Sequence, residues 1–354
     1  MDSLTQIVLG STVTALAVPS RHRRKALAVG AALGTLPDLD VIPLTLLTDD
    51  PVTNMVMHRG ASHSLFVLFF VGLLLWLVLR RYWYPVRDAP LPWLWAIQLG
   101  LLTHPLLDSL TVYGTQLFWP LATPPVMWAS VWIIDPAYTL PLLAAVIAAA
   151  ILGPAEGARR WLKAAAVLSS FYLLWSLTAK VLVDHAADAA LRTQNLHEAP
   201  RFSVPMPLNT LLWQVVVMTP EGYAIGYRSL IADRKPMRFT HYPSDTAALA
   251  SARRTVPALQ RLLWFNQGFM KATVDERGML VVSDLRMGQE PDYVFQFTVA
   301  KRVGGEWRPV APQRVVALLD VIETLPKLWE RIWHEPAAAT GHHPASWTPQ
   351  ASPS

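Results

Sequence analysis

Residues 62–79 (SHSLFVLFFVGLLLWLVL) form a run of eighteen residues with no acid or base and with histidine only at the start. A helix needs roughly 17–20 apolar residues to cross the hydrocarbon of a bilayer, where each backbone polar group must find its partner inside the segment. This run therefore predicts a membrane helix and sets how its neighbours are read. Residues 91–110, 138–152 and 161–183 have the same texture, the stretch 138–152 being short for a crossing. Residues 4–18 and 25–36 are shorter than a standard span, which suits a buried hairpin. The expected fold is a membrane all-α helical bundle of about six hydrophobic segments, the first two a short hairpin, followed by a small extramembrane α+β domain. Composition agrees: 53% hydrophobic and 16% charged residues leave too little charge for an ordinary soluble surface.

The basic residues orient this bundle. Arg21, Arg23, Arg24 and Lys25, then Arg80, Arg81 and Arg87, then Arg159, Arg160 and Lys163 occupy alternate turns, whereas residues 37–61 and 111–137 hold a single base, Arg59. By the positive-inside rule the basic turns face the cytoplasm. The other loops, and all that follows the sixth segment, then face the non-cytoplasmic side. The formal net charge of +5 is dispersed in these short clusters, which argues against a nucleic-acid-binding face. With no cysteine, disulfides and thiolate metal sites are excluded, and the acidic start MDSLTQ does not read as a cleavable signal peptide.

From about residue 200 the texture changes. LLWQVVVM, GYAIGYRSL, MLVVSDL and DYVFQFTVA are short runs rich in Val, Tyr, Phe and Trp between turn residues, and they predict strands. Residues 245–265 and 315–333 read as helices, interrupted at Pro257 and Pro326. The chain thus divides into a membrane part (1–185), an extramembrane α+β domain (200–333) and a disordered tail (334–354).

Three motifs carry the candidate chemistry. Pro37-Asp38-Leu39-Asp40 closes the second segment; two carboxylates at a membrane boundary are costly without cations, and they need the turn that Pro37 begins. His58-Arg59-Gly60-Ala61-Ser62-His63-Ser64 opens the third segment. Five residues of helix would turn His63 about 140° from His58, so convergence requires the break that Gly60 permits. His104 and Asp108 stand at i and i+4 of the fourth segment, on one face. Topology puts Asp38, Asp40, His58, His63, His104 and Asp108 at the same end of three segments. A mixed carboxylate–imidazole set suits zinc or manganese better than calcium, and six ligands suffice for one or two divalent ions. Arg59 is expected to hold an anionic group, and Asp40, where free of metal, to serve as catalytic base.

LPDLD (36–40), HRGASHS (58–64), HPLLD (104–108) and GTQLFWP (114–120) together resemble the membrane-bound metal-dependent hydrolases, the YdjM-like inner-membrane proteins. The resemblance covers roughly residues 1–185 and implies a divalent metal at the Asp and His positions, and hydrolysis. Many members carry a histidine in the first segment where this chain has Gln6, a poor zinc ligand, so either one metal position is lost or Gln6 binds water or substrate. The resulting expectation is an inner-membrane hydrolase of an ester or phosphoester in a small-molecule or lipid-linked substrate, with membrane lipids around it and no nucleic acid. The rivals are a metal transporter or sensor, and an envelope protein in which the metal staples helices. A transport site should lie near mid-bilayer with exits to both faces, whereas these ligands gather at one end.

The charge pattern sets a first test. A reporter fused after Val183 should read as periplasmic and one placed near Arg159 as cytoplasmic; a cytoplasmic signal after Val183 overturns the orientation.

Overall fold

The computed structural model describes residues 1–315 and 321–336. The chain begins with a helical hairpin, α1 (Ser3–Ala17) and α2 (Arg23–Thr35), joined through a short 3-10 turn. The Asp2 side chain caps α1 by accepting from the Thr5 amide at 3.1 Å, which satisfies one of the donors a helix start leaves open. A 3-10 turn, Leu36–Asp40, ends α2 and leads into α3 (Val41–Leu47) and α4 (Pro51–Met57). The bundle continues with α5 (Leu65–Tyr82), the single turn α6 (Tyr84–Asp88), α7 (Pro90–Asp108), α8 (Pro136–Leu152) and α9 (Glu156–Arg192). Among the described residues, three helical stretches are long and apolar enough to cross a membrane: Ser20–Leu47, Leu65–Tyr82 and Glu156–Arg192. The first spans α2, the turn after it and α3. Ser3–Ala17 and Pro136–Leu152 are apolar but shorter. α7 is not among the three; it packs centrally, with Gln98, His104 and Asp108 all buried. The sequence predicts about six hydrophobic segments, the first two a short hairpin; among the described residues three helical stretches qualify as candidate spans, and α1, α7 and α8 do not.

α1 and α2 meet backbone to backbone. A Cβ placed on Gly30 would lie 2.3 Å from the Gly10 carbonyl oxygen, and one on Gly34 would lie 2.3 Å from that of Gln6. Gly30 and Gly34 form the small-xxx-small spacing that lets membrane helices approach this closely, where packing rather than a hydrophobic gradient holds them. Side chains add interhelical bonds: Ser11 to the Leu27 carbonyl at 2.9 Å and Gln98 to that of Phe69 at 3.0 Å. At the far end Arg21 pairs with Asp88, and Arg23 donates to the carbonyls of Gly153 and Ala155, so the basic turns collect at one end of the bundle.

Beyond α9 lie two four-stranded antiparallel sheets. The first, in spatial order, is β1 (Arg201–Pro205), β2 (Leu212–Thr219), β3 (Gly222–Ser229) and β4 (Phe239–Pro243). After α10 (Thr246–Ala252) and α11 (Pro257–Phe265) come β5 (Met270–Val274), β6 (Met279–Asp284), the small pair β7 (Gly288–Gln289) and β8 (Asp292–Tyr293), β9 (Gln296–Val303), β10 (Glu306–Val315) and α12 (Val321–Trp333). The second sheet runs β10-β9-β6-β5. The four strands read from sequence are present as β2, β3, β6 and β9, all with neighbours on both sides. The other four strands of these two sheets, β1, β4, β5 and β10, were not read; they are the edges, whose sequences carry prolines at Pro205, Pro243, Pro309 and Pro312 or are short. The helix expected over 315–333 starts later, because β10 runs to Val315; Pro257 does divide 245–265, into α10 and α11. The tail expected from 334 falls, from 337 onward, outside the described residues.

This sheet-rich part shares its core with the loops at the site end of the bundle: Val52, Met55 and Val56 of α4, together with Val112 and Tyr113, pack among Phe265, Phe297 and Val299. Arg261 of α11 also donates to Asp50, the cap of α4, at 2.9 Å. Burial would raise the Asp50 carboxyl, but donors from Thr53, Arg261 and the α4 amides outweigh it and hold it below the ordinary carboxylate range.

The glycine contact yields a stability test. Gly30→Ala should force α1 and α2 apart and cost about 1–3 kcal/mol, as overpacking does. Gly157→Ala, whose Cβ meets only Leu152 at 3.6 Å, should be neutral; thermal unfolding in detergent distinguishes the two, and an equal effect at both sites overturns the packing argument.

Candidate metal centre

Four of the six expected ligands converge. Asp38, His63, His104 and Asp108 each offer one atom, and these atoms lie within 4.8 Å of one another. Three local devices bring them together. The 3-10 turn after α2 tightens the chain enough to aim Asp38 inward. α4 ends at Met57, Arg59 adopts a left-handed backbone (φ 63°), and a second 3-10 turn at Ala61–His63 reverses the chain and buries His63. His104 and Asp108 lie one above the other in the last turns of α7.

The imidazoles are oriented by their outer nitrogens. His104 Nδ1 lies 2.6 Å from the Gly34 carbonyl oxygen, which only accepts, so Nδ1 carries a proton and, in the neutral ring that a metal would bind, Nε2 keeps its lone pair. Ser62 donates its one hydroxyl hydrogen to Asp40 Oδ2 at 2.6 Å, so its oxygen accepts from His63 Nδ1 at 2.9 Å, which leaves His63 Nε2 a lone pair as well. The two Nε2 atoms face each other at 3.1 Å. Asp38 Oδ1 stands 3.3 and 3.4 Å from them, and Asp108 Oδ2 3.3 and 3.5 Å. Four electron-rich atoms crowded together repel unless a cation lies among them. Metal–ligand bonds of about 2.0–2.1 Å put neighbouring ligand atoms of a tetrahedral site about 3.3–3.4 Å apart, and each carboxylate oxygen lies 3.3–3.5 Å from the two imidazole nitrogens here. Asp38 Oδ1 and Asp108 Oδ2 are also buried without a hydrogen-bond partner, as atoms aimed at an ion would be. These four residues fit a divalent metal.

Asp40 and His58 stand beside this group, bound to each other. Asp40 Oδ1 meets His58 Nδ1 at 2.8 Å, and Oδ2 accepts from the Arg59 amide at 3.2 Å and from Ser62. Asp40 thus anchors the hydroxyl that orients His63, an outer partner of the kind that tunes metal ligands. The two carboxylates of LPDLD turn to different tasks because a 3-10 turn, not a helix face, carries them.

Arg59 is 5% exposed. Its Nε lies 3.2 Å from Asp108 Oδ2, an ion-pair distance without hydrogen-bond geometry; Nη1 donates to Thr111 at 3.3 Å, and the guanidinium sits over the Tyr113 ring. Its acid is therefore Asp108. Gln6 donates to Asp108 Oδ1 at 3.0 Å and to the His104 carbonyl at 3.3 Å; the Met1 amino group also contacts Asp108 Oδ1. Gln6 is accordingly a carboxylate holder. Sequence reasoning also missed Ser62, Thr111 and the Gly34 carbonyl. Ser62, inside HRGASHS, was legible in principle; a backbone carbonyl one helix away was not.

The model of the YdjM inner membrane protein family matches residues 1–183, and the chain belongs to that family of membrane proteins. It is 34% identical over 91 residues to the inner membrane protein YdjM of Escherichia coli (strain K12), covering 24% of this chain and 44% of that protein. It is 37% identical over 95 residues to the inner membrane protein YbcI of the same organism, 27% of this chain and 52% of YbcI, so it spans about half the length of these two relatives. YfhP of Bacillus subtilis (strain 168) aligns over 233 residues at 24% identity, 64% of this chain and 68% of that protein. No solved structure matches.

The geometry separates ligands from neighbours. Protein purified without chelator and supplied with zinc or manganese should carry roughly one ion per chain, as four converging ligands allow. His63→Ala and His104→Ala should lose it, whereas His58→Ala should keep most of it. Elemental analysis reads this, and metal content that follows His58 rather than His104 overturns the assignment.

Proposed function

We propose that this protein is a membrane-bound metal-dependent hydrolase acting on an ester or phosphoester of a lipid or lipid-linked envelope molecule at the outer face of the inner membrane. The observation that carries the proposal is the convergence of two imidazole Nε2 atoms, each ring anchored at its Nδ1, with two buried carboxylate oxygens that have no hydrogen-bond partner. A divalent ion held by these four residues would supply Lewis acidity and lower the pKa of water towards neutrality. Zinc or manganese suits this donor set.

The remaining steps belong to the chain's own groups. Asp38 is the ligand that reaches the surface, with 22% of its side chain exposed against none for His63, His104 and Asp108, so substrate approaches past Asp38. His58, 21% exposed, is held at Nδ1 by Asp40, which leaves Nε2 to take or return a proton at the reacting atoms. Asp40 acts through His58 and Ser62 and is a positioning residue. Arg59 offsets the charge of Asp108 and keeps that carboxylate ionised inside the protein. Lipid is favoured as substrate because the residues flanking Asp38 are apolar and exposed: Leu36, Leu39, Val41 and Ile42, followed by Leu46 and Leu47 at 81% and 80%. Apolar exposure of this extent is satisfied by acyl chains rather than by water.

A second reading, a metal that staples α2, α7 and the turn before α5 together, is favoured by the ligand count, since four protein ligands make a closed site of the structural kind. Hydrolysis separates the two. Detergent-solubilised protein loaded with zinc or manganese should cleave phospholipid or lipid-linked phosphoesters. Asp40→Asn should lower kcat by about 10–100-fold, the usual effect of removing an outer partner of a metal-site histidine, while keeping its metal. Full metal occupancy with no turnover across a lipid-ester and phosphoester panel would establish the staple instead.

A further inference from the structure

A cavity of about 320 Å³ lies in the sheet-rich part, apart from the metal centre. Its wall includes Trp132 and Ile134 from the loop before α8, Val204 and Leu208 around the end of β1, and Leu325 and Leu328 of α12. A pocket of this size with predominantly apolar walls is the usual form of a small-ligand site.

Its position relative to the bilayer follows from α9. That helix has 37 residues, roughly 55 Å at 1.5 Å per residue, well beyond the hydrocarbon thickness of about 30 Å. Its apolar side chains stay exposed through Phe171, Leu174, Val181 and Leu182, while from Ala179 onward its buried side packs on the first sheet. Thr210, just after the cavity wall, receives hydrogen bonds from the Trp175 indole at 3.1 Å and exchanges one with the Tyr172 hydroxyl at 3.2 Å. The 207–211 loop is thereby fastened to a part of α9 that faces lipid. Tyr and Trp at such a level are the side chains that mark a membrane interface.

The rim of the cavity agrees with that level. Ile134 is 52% and Leu208 43% exposed, and Ile134 stands two residues before the start of α8. α12 packs inward through Leu328 and Ile332, its Ile332 carbonyl accepting from Ser229 at 2.6 Å, and presents Trp329 and Trp333 outward, 62% and 46% exposed. Ser229 pairs with Leu212, two residues from Thr210, so both tryptophans belong to the membrane-proximal edge of the sheet.

We propose that this cavity is a lipid-binding site that takes one acyl chain of a membrane phospholipid, entering between Ile134 and Leu208 directly from the leaflet on which the sheet-rich part sits. The proposal rests on the fold and the membrane family, not on the hydrolase reading, and it needs no metal.

The test uses the full chain in nanodiscs of phosphatidylethanolamine and phosphatidylglycerol, with a trace of phosphatidylcholine bearing a diazirine at the end of one acyl chain. After irradiation, mass spectrometry should find adducts on peptides containing Val204–Leu208 and Gly288–Val294, and on α5 as the lipid-facing reference. Val294→Trp, which fills the cavity, should lower the cavity adducts at least fivefold relative to α5. Leu208→Glu, which puts charge at the rim without removing a buried side chain, should do the same and keeps the test valid where the first variant folds poorly. His104→Ala should leave the adducts unchanged, so acyl binding and hydrolysis are read separately. Adducts confined to the membrane helices, or cavity adducts that neither variant reduces, overturn the proposal.

Discussion

Asp108 is a fully buried carboxylate inside a helix bundle, and much of the surrounding structure can be understood as what keeps it ionised there. An unpaired charge in such a place is strongly unfavourable, so it must be met by donors, by an opposite charge or by a metal. One oxygen accepts from Gln6 and contacts the Met1 amino group; the other faces Arg59, His63 and His104. Those partners come from α1, the turn before α5 and α7. The carboxylate therefore ties together elements far apart in sequence, and displacement of any one would leave a charge uncompensated.

The glycine contact between α1 and α2 is what makes this geometry reachable. Gly34 permits α2 to lie against the Gln6 backbone, and its own carbonyl then fixes the His104 ring. A larger residue at either Gly30 or Gly34 would separate the hairpin, withdraw Gln6 from Asp108 and release the imidazole. Packing at the interface and chemistry at the site are one constraint. Small residues allow the backbone approach, and that approach places the donors.

The sheet-rich part completes the site end rather than standing apart from it. Its core includes α4 and the residues around Tyr113, which lie directly beneath Arg59. The left-handed conformation at Arg59 is held by this packing and by the Gln116 amide, which donates to the Arg59 carbonyl at 3.0 Å. A strained residue of this kind persists where its surroundings over-determine it, commonly at functional sites.

Much of this was readable from residues alone. The apolar runs, the alternation of basic turns and the i, i+4 pairing of His104 with Asp108 are local patterns whose physics acts within one segment, and the helices and strand centres they announce are present. The edge strands escaped because proline and short length weaken the only signal they carry. The division of labour within LPDLD and HRGASHS was also out of reach. Asp38 turns to His63 and His104 while Asp40 turns to His58 and Ser62, a choice made by two 3-10 turns meeting in space. Likewise the task of Gln6 depends on a carboxylate 102 residues away. Residue type and spacing decide which side chains can bind a cation and at which end of the bundle they gather. Which of them share one point is a matter of long-range packing, because their separations are set by contacts between elements far apart in the chain.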